Sequence, residues 1–220
     1  MFQRNKTSTS KSILALHCTD KSFGFGLREL HKNNFQNKFF IKDFDKDLSN
    51  NLIEDLSFFI NKNSSFELIE RIVITIGPSN FNASRLIVTC SKSLSQQIKC
   101  SLDSYSNFEI IAKRLIAKNY NLHLKNNNTF WIINKLKKRG YIAGKYNIEK
   151  NIQTEELIVK ELVRPKLYKN LEEDSIHYEV SFNIKEELEE LLNLSYLNHQ
   201  KSISNSWKDV FPIYPISPVN

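Results

Sequence analysis

Hydrophobic positions along this chain fall first into short strand-like runs and then into stripes spaced for helices. Ser12 to Thr19 (SILALHCT) carries Ile13, Leu14, Ala15 and Leu16 in succession, the pattern of a strand covered on both faces. Asp20-Lys21-Ser22 turns the chain, and Phe23, Phe25 and Leu27 alternate through Phe23–Glu29 as an antiparallel partner. After the turn signal Asn33-Asn34, residues 35–42 with Phe39, Phe40 and Ile41 read as a third strand. Leu48, Leu52, Ile53, Leu56, Phe59 and Ile60 then recur at helical spacing, which predicts a helix over residues 48–61. Ile72, Val73, Ile74 and Ile76 form another buried strand, which Gly77-Pro78 ends. Leu86, Cys90, Leu94 and Ile98 make one stripe of a helix reaching Lys99, and Cys100–Asp103 reads as a short strand.

Ser106 and Glu109 have the spacing of a capping box, opening a helix to Lys118 with Phe108, Ile111, Leu115 and Ile116 on its apolar side. The second half is weaker in pattern. Leu122–Leu124 reads as a strand, and residues 129–134 and 141–148 as a hairpin joined by Lys135-Leu136-Lys137-Lys138-Arg139-Gly140. Residues 154–162 read as a short helix stopping before Pro165, and 178–182 as a strand. Asn183 caps a helix over 184–198 with Leu188, Leu191 and Leu192 inward and an acidic first turn. The tail WKDVFPIYPISPVN is expected to pack on the body in extended form.

The 220 residues suffice for one large domain or two small lobes, and 40% hydrophobic with 25% charged residues is a soluble globular composition. No run of about 18 apolar residues predicts a membrane span. The start, MFQRNKTSTSKS, lacks the apolar core of a secretory signal and reads as a loose polar arm over residues 1–11. Cys18, Cys90 and Cys100 form no C-x-x-C pair, which argues against a disulfide framework or zinc knuckle and fits a reducing cytoplasm. The net charge of +7 permits attraction to nucleic acid, although the Asn-, Lys- and Ile-rich composition also suits a chain from an AT-rich genome.

Candidate chemistry is sparse. The β-strand ends in His17, which is no ligand for a hard metal; Thr19 and Asp20 offer a hydroxyl and a carboxylate one position late, which leaves a nucleotide-dependent enzyme or a glycoprotease-like hydrolase as a lesser alternative. Gly77 to Asn82 feeds a helix N-terminus, but one glycine is too few for a phosphate cradle, so a capped helix after a tight turn is the simpler reading. The five histidines show no metal-binding spacing, and no G-x-S-x-G elbow is present, so no catalytic residue is assigned. Lys135, Lys137, Lys138 and Arg139 form a basic hairpin tip near Phe130, Trp131 and Tyr141, a candidate RNA contact or simply a solvated turn. Ala83, Ile87 and Val88 lie off the Leu86–Ile98 stripe, so that helix is apolar on more than one side and needs a second cover, a sheet or a partner.

The stretch Ile72–Lys99 resembles the signature of the TsaB (YeaZ) family, relatives of the TsaD/Kae1 glycoprotease-like proteins. That signature is a strand followed by G-P-G-S-F-T-G-L-R-I-G and a helix continuing A-T-A-K-G-L-A. Gly77, Pro78, Phe81, Arg85, Thr89, Lys92 and Leu94 stand at matching places. The start ILALHCTD is similar to the family's I-L-A-I-D-T-S, with His17 where Asp is usual, and Ser101-Leu102 and the late PIYP are also similar. The resemblance implies a two-lobed α/β actin/Hsp70/sugar-kinase (RNase H-like) fold with a mixed five-stranded sheet and flanking helices. Its lobes would be 12–104 and 105–205, followed by the tail 206–220. It also implies a non-catalytic partner of a TsaD-like subunit, working with a TsaE-like ATPase in threonylcarbamoyladenosine modification of tRNAs that read ANN codons. ATP and metal would then sit on the partner, and the chain alone could pair with itself. The docking residues would come from the helices of the first lobe: Leu52, Leu56 and Phe59, with Asn82, Ala83, Leu86, Ile87, Cys90 and Leu94. The missing acidic residue at His17 and the glycine-poor loop agree with a scaffold.

Overall fold

A computed structural model describes residues 10–31, 36–44, 48–118, 128–150, 157–171 and 175–216. Strands β1 (Ser12–Cys18), β2 (Ser22–Glu29), β3 (Lys38–Asp43), β4 (Ile69–Thr75) and β5 (Ser101–Tyr105) form one mixed sheet in the order β3-β2-β1-β4-β5. The first three are antiparallel neighbours, whereas β4 lies parallel to both β1 and β5. Helices α1 (Leu48–Asn63) and α2 (Phe81–Ile98) cover one face, where Leu14, Leu16, Phe25 and Ile74 meet Leu52, Leu56, Ile60 and Ile87.

The other face is covered from far along the chain. Helix α4 (Ile184–Gln200) sets Leu188, Leu191 and Leu192 against Ile13, Ala15 and Val73. The even run in β1 is therefore explained, since both faces are buried. In β2 the same alternation has a second use. Phe23, Phe25 and Leu27 face α1 and α2, while Gly24 and Gly26 clear room for α4. A Cβ on Gly24 would stand 3.0 Å from the Leu188 side chain, and one on Gly26 3.1 Å from Leu192.

The second sheet has the order β8-β7-β6-β9, from β6 (Thr129–Leu136), β7 (Gly140–Lys150), β8 (Leu157–Tyr168) and β9 (His177–Glu179). Helix α3 (Asn107–Ala117) packs Phe108, Ile111 and Ile116 on Phe130, Ile132 and Tyr146 of its inner face. The capping box forms as expected: Ser106 accepts the Glu109 N–H at 3.0 Å, and the Glu109 carboxylate accepts the Ser106 N–H. Helix α3 also packs on α4, so residues 105–205 do not keep to one sheet: α4 returns to the first.

The helix expected over 154–162 is overturned, because residues 157–168 are a strand paired with β7. The Glu- and Lys-rich composition favours helix locally, but pairing with β7 outweighs that preference. Pro165 does not stop the strand, since β8 is the last strand of its sheet and its register shifts opposite Ala143–Lys145. The strand expected at 178–182 is shorter, His177–Glu179, and runs parallel to β6. The strand expected at Leu122–Leu124 lies outside the described residues. No helix among the described residues is long and apolar enough to cross a membrane.

Candidate functional site

The C-terminal ends of β1 and β4 and the N-termini of α2 and α3 converge beside the second sheet, and their polar groups are largely spent on one another. His17 is fully buried. Its Nε2 donates to the Glu187 carboxylate at 2.7 Å, and the Thr75 hydroxyl lies 2.8 Å from Nδ1. With a carboxylate beside Nε2 and a hydroxyl beside Nδ1, neither nitrogen remains for a ligand. Glu187 is equally committed, to Arg114 at 3.2 Å and to the Asn183 N–H at 2.9 Å.

Asn107 was not singled out in the sequence, yet it holds the junction together. Its side-chain oxygen accepts the Gly77 N–H at 3.1 Å and its amide donates to the Cys18 carbonyl at 3.0 Å. Its own N–H reaches the Gly77 carbonyl at 2.7 Å. One side chain thus ties β1, the β4–α2 turn and the start of α3. The only local signal was an Asn directly after the Ser106 cap.

Gly77 has φ +98, in the region that favours glycine, and precedes a cis Pro78. Asn80 caps α2, accepting N–H groups from Asn82 at 3.1 Å and Ala83 at 3.3 Å. The capped-helix reading of this loop therefore holds, and these first amides are used internally. Ser79 and Ser84 pair at 2.7 Å, with the Cys18 thiol 3.5 Å from Ser79. Burial pushes that thiol up to about 11. Thr19 closes the β1–β2 turn by accepting the Lys21 and Ser22 N–H groups. Asp20 accepts the Asn80 N–H, and partial burial raises its carboxyl above the usual range.

Residues 210–216 fold back over this junction. The Ile213 N–H bonds the Ile76 carbonyl at 2.7 Å, and Tyr214 lies on Phe81 with ring centres 4.7 Å apart. Farther back, Lys92 donates to the Val210 carbonyl at 2.8 Å and stands 4.4 Å from the Phe211 ring. Arg85 points outward and is exposed.

The residues expected to dock a partner divide sharply. Leu52, Leu56, Phe59, Ala83 and Ile87 are buried in the chain's own core. They are not available to a partner in this fold. Leu86, Cys90 and Leu94 are half-buried along the flank of α2, and Asn82 is exposed. The inward face of α2 is instead Ala83, Ser84, Ile87, Val88, Ser91 and Ser95, about a quarter-turn from the stripe that hydrophobicity alone selects. Small serines fit close helix–sheet packing, which is why the less apolar face is the buried one. The large exposed apolar residues of α1 are Ile53 and Phe58, the latter 63% exposed.

Lys135, Lys137, Lys138 and Arg139 are all exposed at the β6–β7 turn. Phe130 belongs to the core under α3 and Trp131 is buried on the opposite side, so neither offers a ring at that tip. Among the described residues no group of His, Cys, Asp or Glu is arranged to hold a metal ion. Among the described residues the cavity between the sheets is lined by no Lys or Arg and by Asp20, a set that does not fit a polyphosphate.

These features define a mixed α/β protein with a mixed five-stranded sheet, a second four-stranded sheet, flanking helices and a tail segment lining the cleft between the sheets. No protein-family model and no curated protein matches the chain in sequence. Its fold is that of YeaZ from Pseudomonas aeruginosa, at TM-score 0.62 and 13% identity over 93% of this chain and 99% of that one. A second solved structure, of a protein described as similar to the peptidase YeaZ from Pseudomonas aeruginosa, aligns at TM-score 0.63 and 13% identity. It covers 94% of this chain and all of its own, 100%. The likeness of fold and the resemblance carried by Ile72–Lys99 are separate observations with the same direction.

Proposed function

We propose that this chain is a non-catalytic partner of a TsaD-like catalytic subunit in threonylcarbamoyladenosine modification of tRNA. The observation that carries the proposal is the YeaZ fold over nearly the whole chain, combined with a β1 end whose His17 is locked inward. The resemblance to the TsaB family supplies the partner, the TsaE-like ATPase and the tRNA. On this reading ATP and metal belong to the partner subunit, the complex works in the cytoplasm, and the isolated chain can pair with itself.

Docking on the first sheet's helices uses what α1 and α2 leave outside: Phe58 and Ile53, with the half-buried flank of Leu86, Cys90 and Leu94. Phe58→Asp and Leu94→Asp should each abolish co-purification with a TsaD-like protein from the native cytosol while circular dichroism stays near wild type. Ile87→Asp should unfold the chain, because that side chain is fully buried. Capture of the subunit by both surface variants at wild-type yield would sink the proposal.

A second reading rests on the exposure of all four cations at the β6–β7 turn. Direct tRNA contact there predicts that neutralising Lys135, Lys137, Lys138 and Arg139 lowers both affinity and the salt slope. A salt slope unchanged by the substitutions would remove it.

A further inference from the structure

The cavity between the two sheets has a volume of about 260 Å³. Its wall is drawn from separate segments: Asp20 of the β1–β2 turn, Ser79 and Phe81 at the start of α2, Asn134 and Ile142 of the second sheet, and Tyr214 of the tail. Asp20 is the only charged residue among the described residues that line it. The Asn80 N–H lies near this carboxylate, and two carboxylate oxygens have acceptor capacity beyond one such donor. Phe81 and Tyr214, 4.7 Å apart and tilted by 38°, make an aromatic side. The tail that supplies Tyr214 is fixed at Ile213 to Ile76 and at Val210 to Lys92, so this side belongs to the folded chain.

The sign of charge decides what can enter. A phosphate or carboxylate would meet Asp20 with no lining cation to offset the repulsion. A group with N–H donors meets an acceptor, and an ammonium meets an opposite charge, at the exposed edge of the cavity where Asp20 stands. The Phe81 and Tyr214 rings suit a flat apolar body and also favour a nearby cation. The volume lies just below the usual range of roughly 300–1,000 Å³ for ligand pockets, enough for a single ring with a short arm.

We propose that this cavity is a binding site for a small aromatic or heterocyclic amine, its N–H group paired with the Asp20 carboxylate and its ring against Phe81 and Tyr214. The site is independent of the partner reading, and failure of either leaves the other standing. The Asn134 amide, also in the lining, adds a hydrogen-bonding position.

Calorimetric titration of the full chain at neutral pH tests it with three probes of one shape: tyramine, neutral 4-ethylphenol and anionic 4-hydroxyphenylacetate. Tyramine should bind, 4-ethylphenol about tenfold or more weaker, as expected for loss of a charge-assisted hydrogen bond, and the anion not at all. Asp20→Asn should erase the preference for tyramine over 4-ethylphenol with circular dichroism unchanged. Ser79→Leu, which fills the cavity without altering charge, should abolish binding of both. Three outcomes overturn the proposal: equal affinity for the three probes, tyramine affinity indifferent to Asp20→Asn, or no tyramine heat up to about 10 mM, near the weak limit for a ligand of this size.

Discussion

Restoring the acidic residue that the family resemblance places at the end of β1 should destabilise this protein. His17→Asp would put a carboxylate next to Glu187, whose oxygen lies 2.7 Å from the present imidazole at a site with no exposure. The shorter Asp side chain stops short of the Nε2 position, but two carboxylates facing each other across that buried gap disfavour double ionisation, so one holds a proton at neutral pH. With an unfolded-state pKa near 3.9 and about 1.4 kcal/mol per unit, keeping that proton at pH 7 costs about 4 kcal/mol. The introduced group has its folded pKa raised, so the folded state binds more protons and stability falls as pH rises. The deficit should therefore be absent below about pH 4 and grow through the acid range. Urea unfolding of wild type and His17→Asp between pH 4 and 7.5 measures it. Adding Glu187→Gln should recover roughly half or more of the loss, because the amide can donate to the new carboxylate. A His17→Asp protein within about 1 kcal/mol of wild type at pH 7 would refute the view of His17 and Glu187 as one committed unit.

Two further outcomes follow from packing and burial. Gly24→Ala would place a Cβ 2.9 Å from the Phe40 carbonyl and 3.0 Å from Leu188, so calorimetry should show a loss of about 1–3 kcal/mol. Cys18, with its thiol pushed up to about 11, should resist iodoacetamide in the native protein at pH 8 and react promptly after denaturation, as mass spectrometry of the labelled peptides would show.

Element order through the first hundred residues was legible because each strand and helix there carries its own period. Ser12–Cys18 is buried throughout and Ile69–Thr75 everywhere but Glu70, and the apolar runs Ile13–Leu16 and Ile72–Ile74 say so. The face of α2 was not legible. Leu86, Cys90 and Leu94 are more apolar than Ser84, Ser91 and Ser95, yet the serines lie inward. Strand β8 was hidden for a different reason, since ELIVKELV satisfies helical spacing and only its partner β7 decides otherwise. The capped-helix reading of the β4–α2 loop was within reach of the sequence, as Asn80 caps that helix itself. The commitment of His17 to Glu187 was out of reach of spacing arguments, because 170 positions separate them.

That separation also fixes a schedule for synthesis. The five strands of the first sheet are complete once Tyr105 has been made, but the face carrying Ile13, Ala15 and Val73 receives its cover only with α4, which ends at Gln200. At roughly 5–20 residues per second, that apolar face waits on the order of ten seconds on the ribosome. A chain truncated before α4 would leave Ile13, Ala15 and Val73 without the cover of Leu188, Leu191 and Leu192.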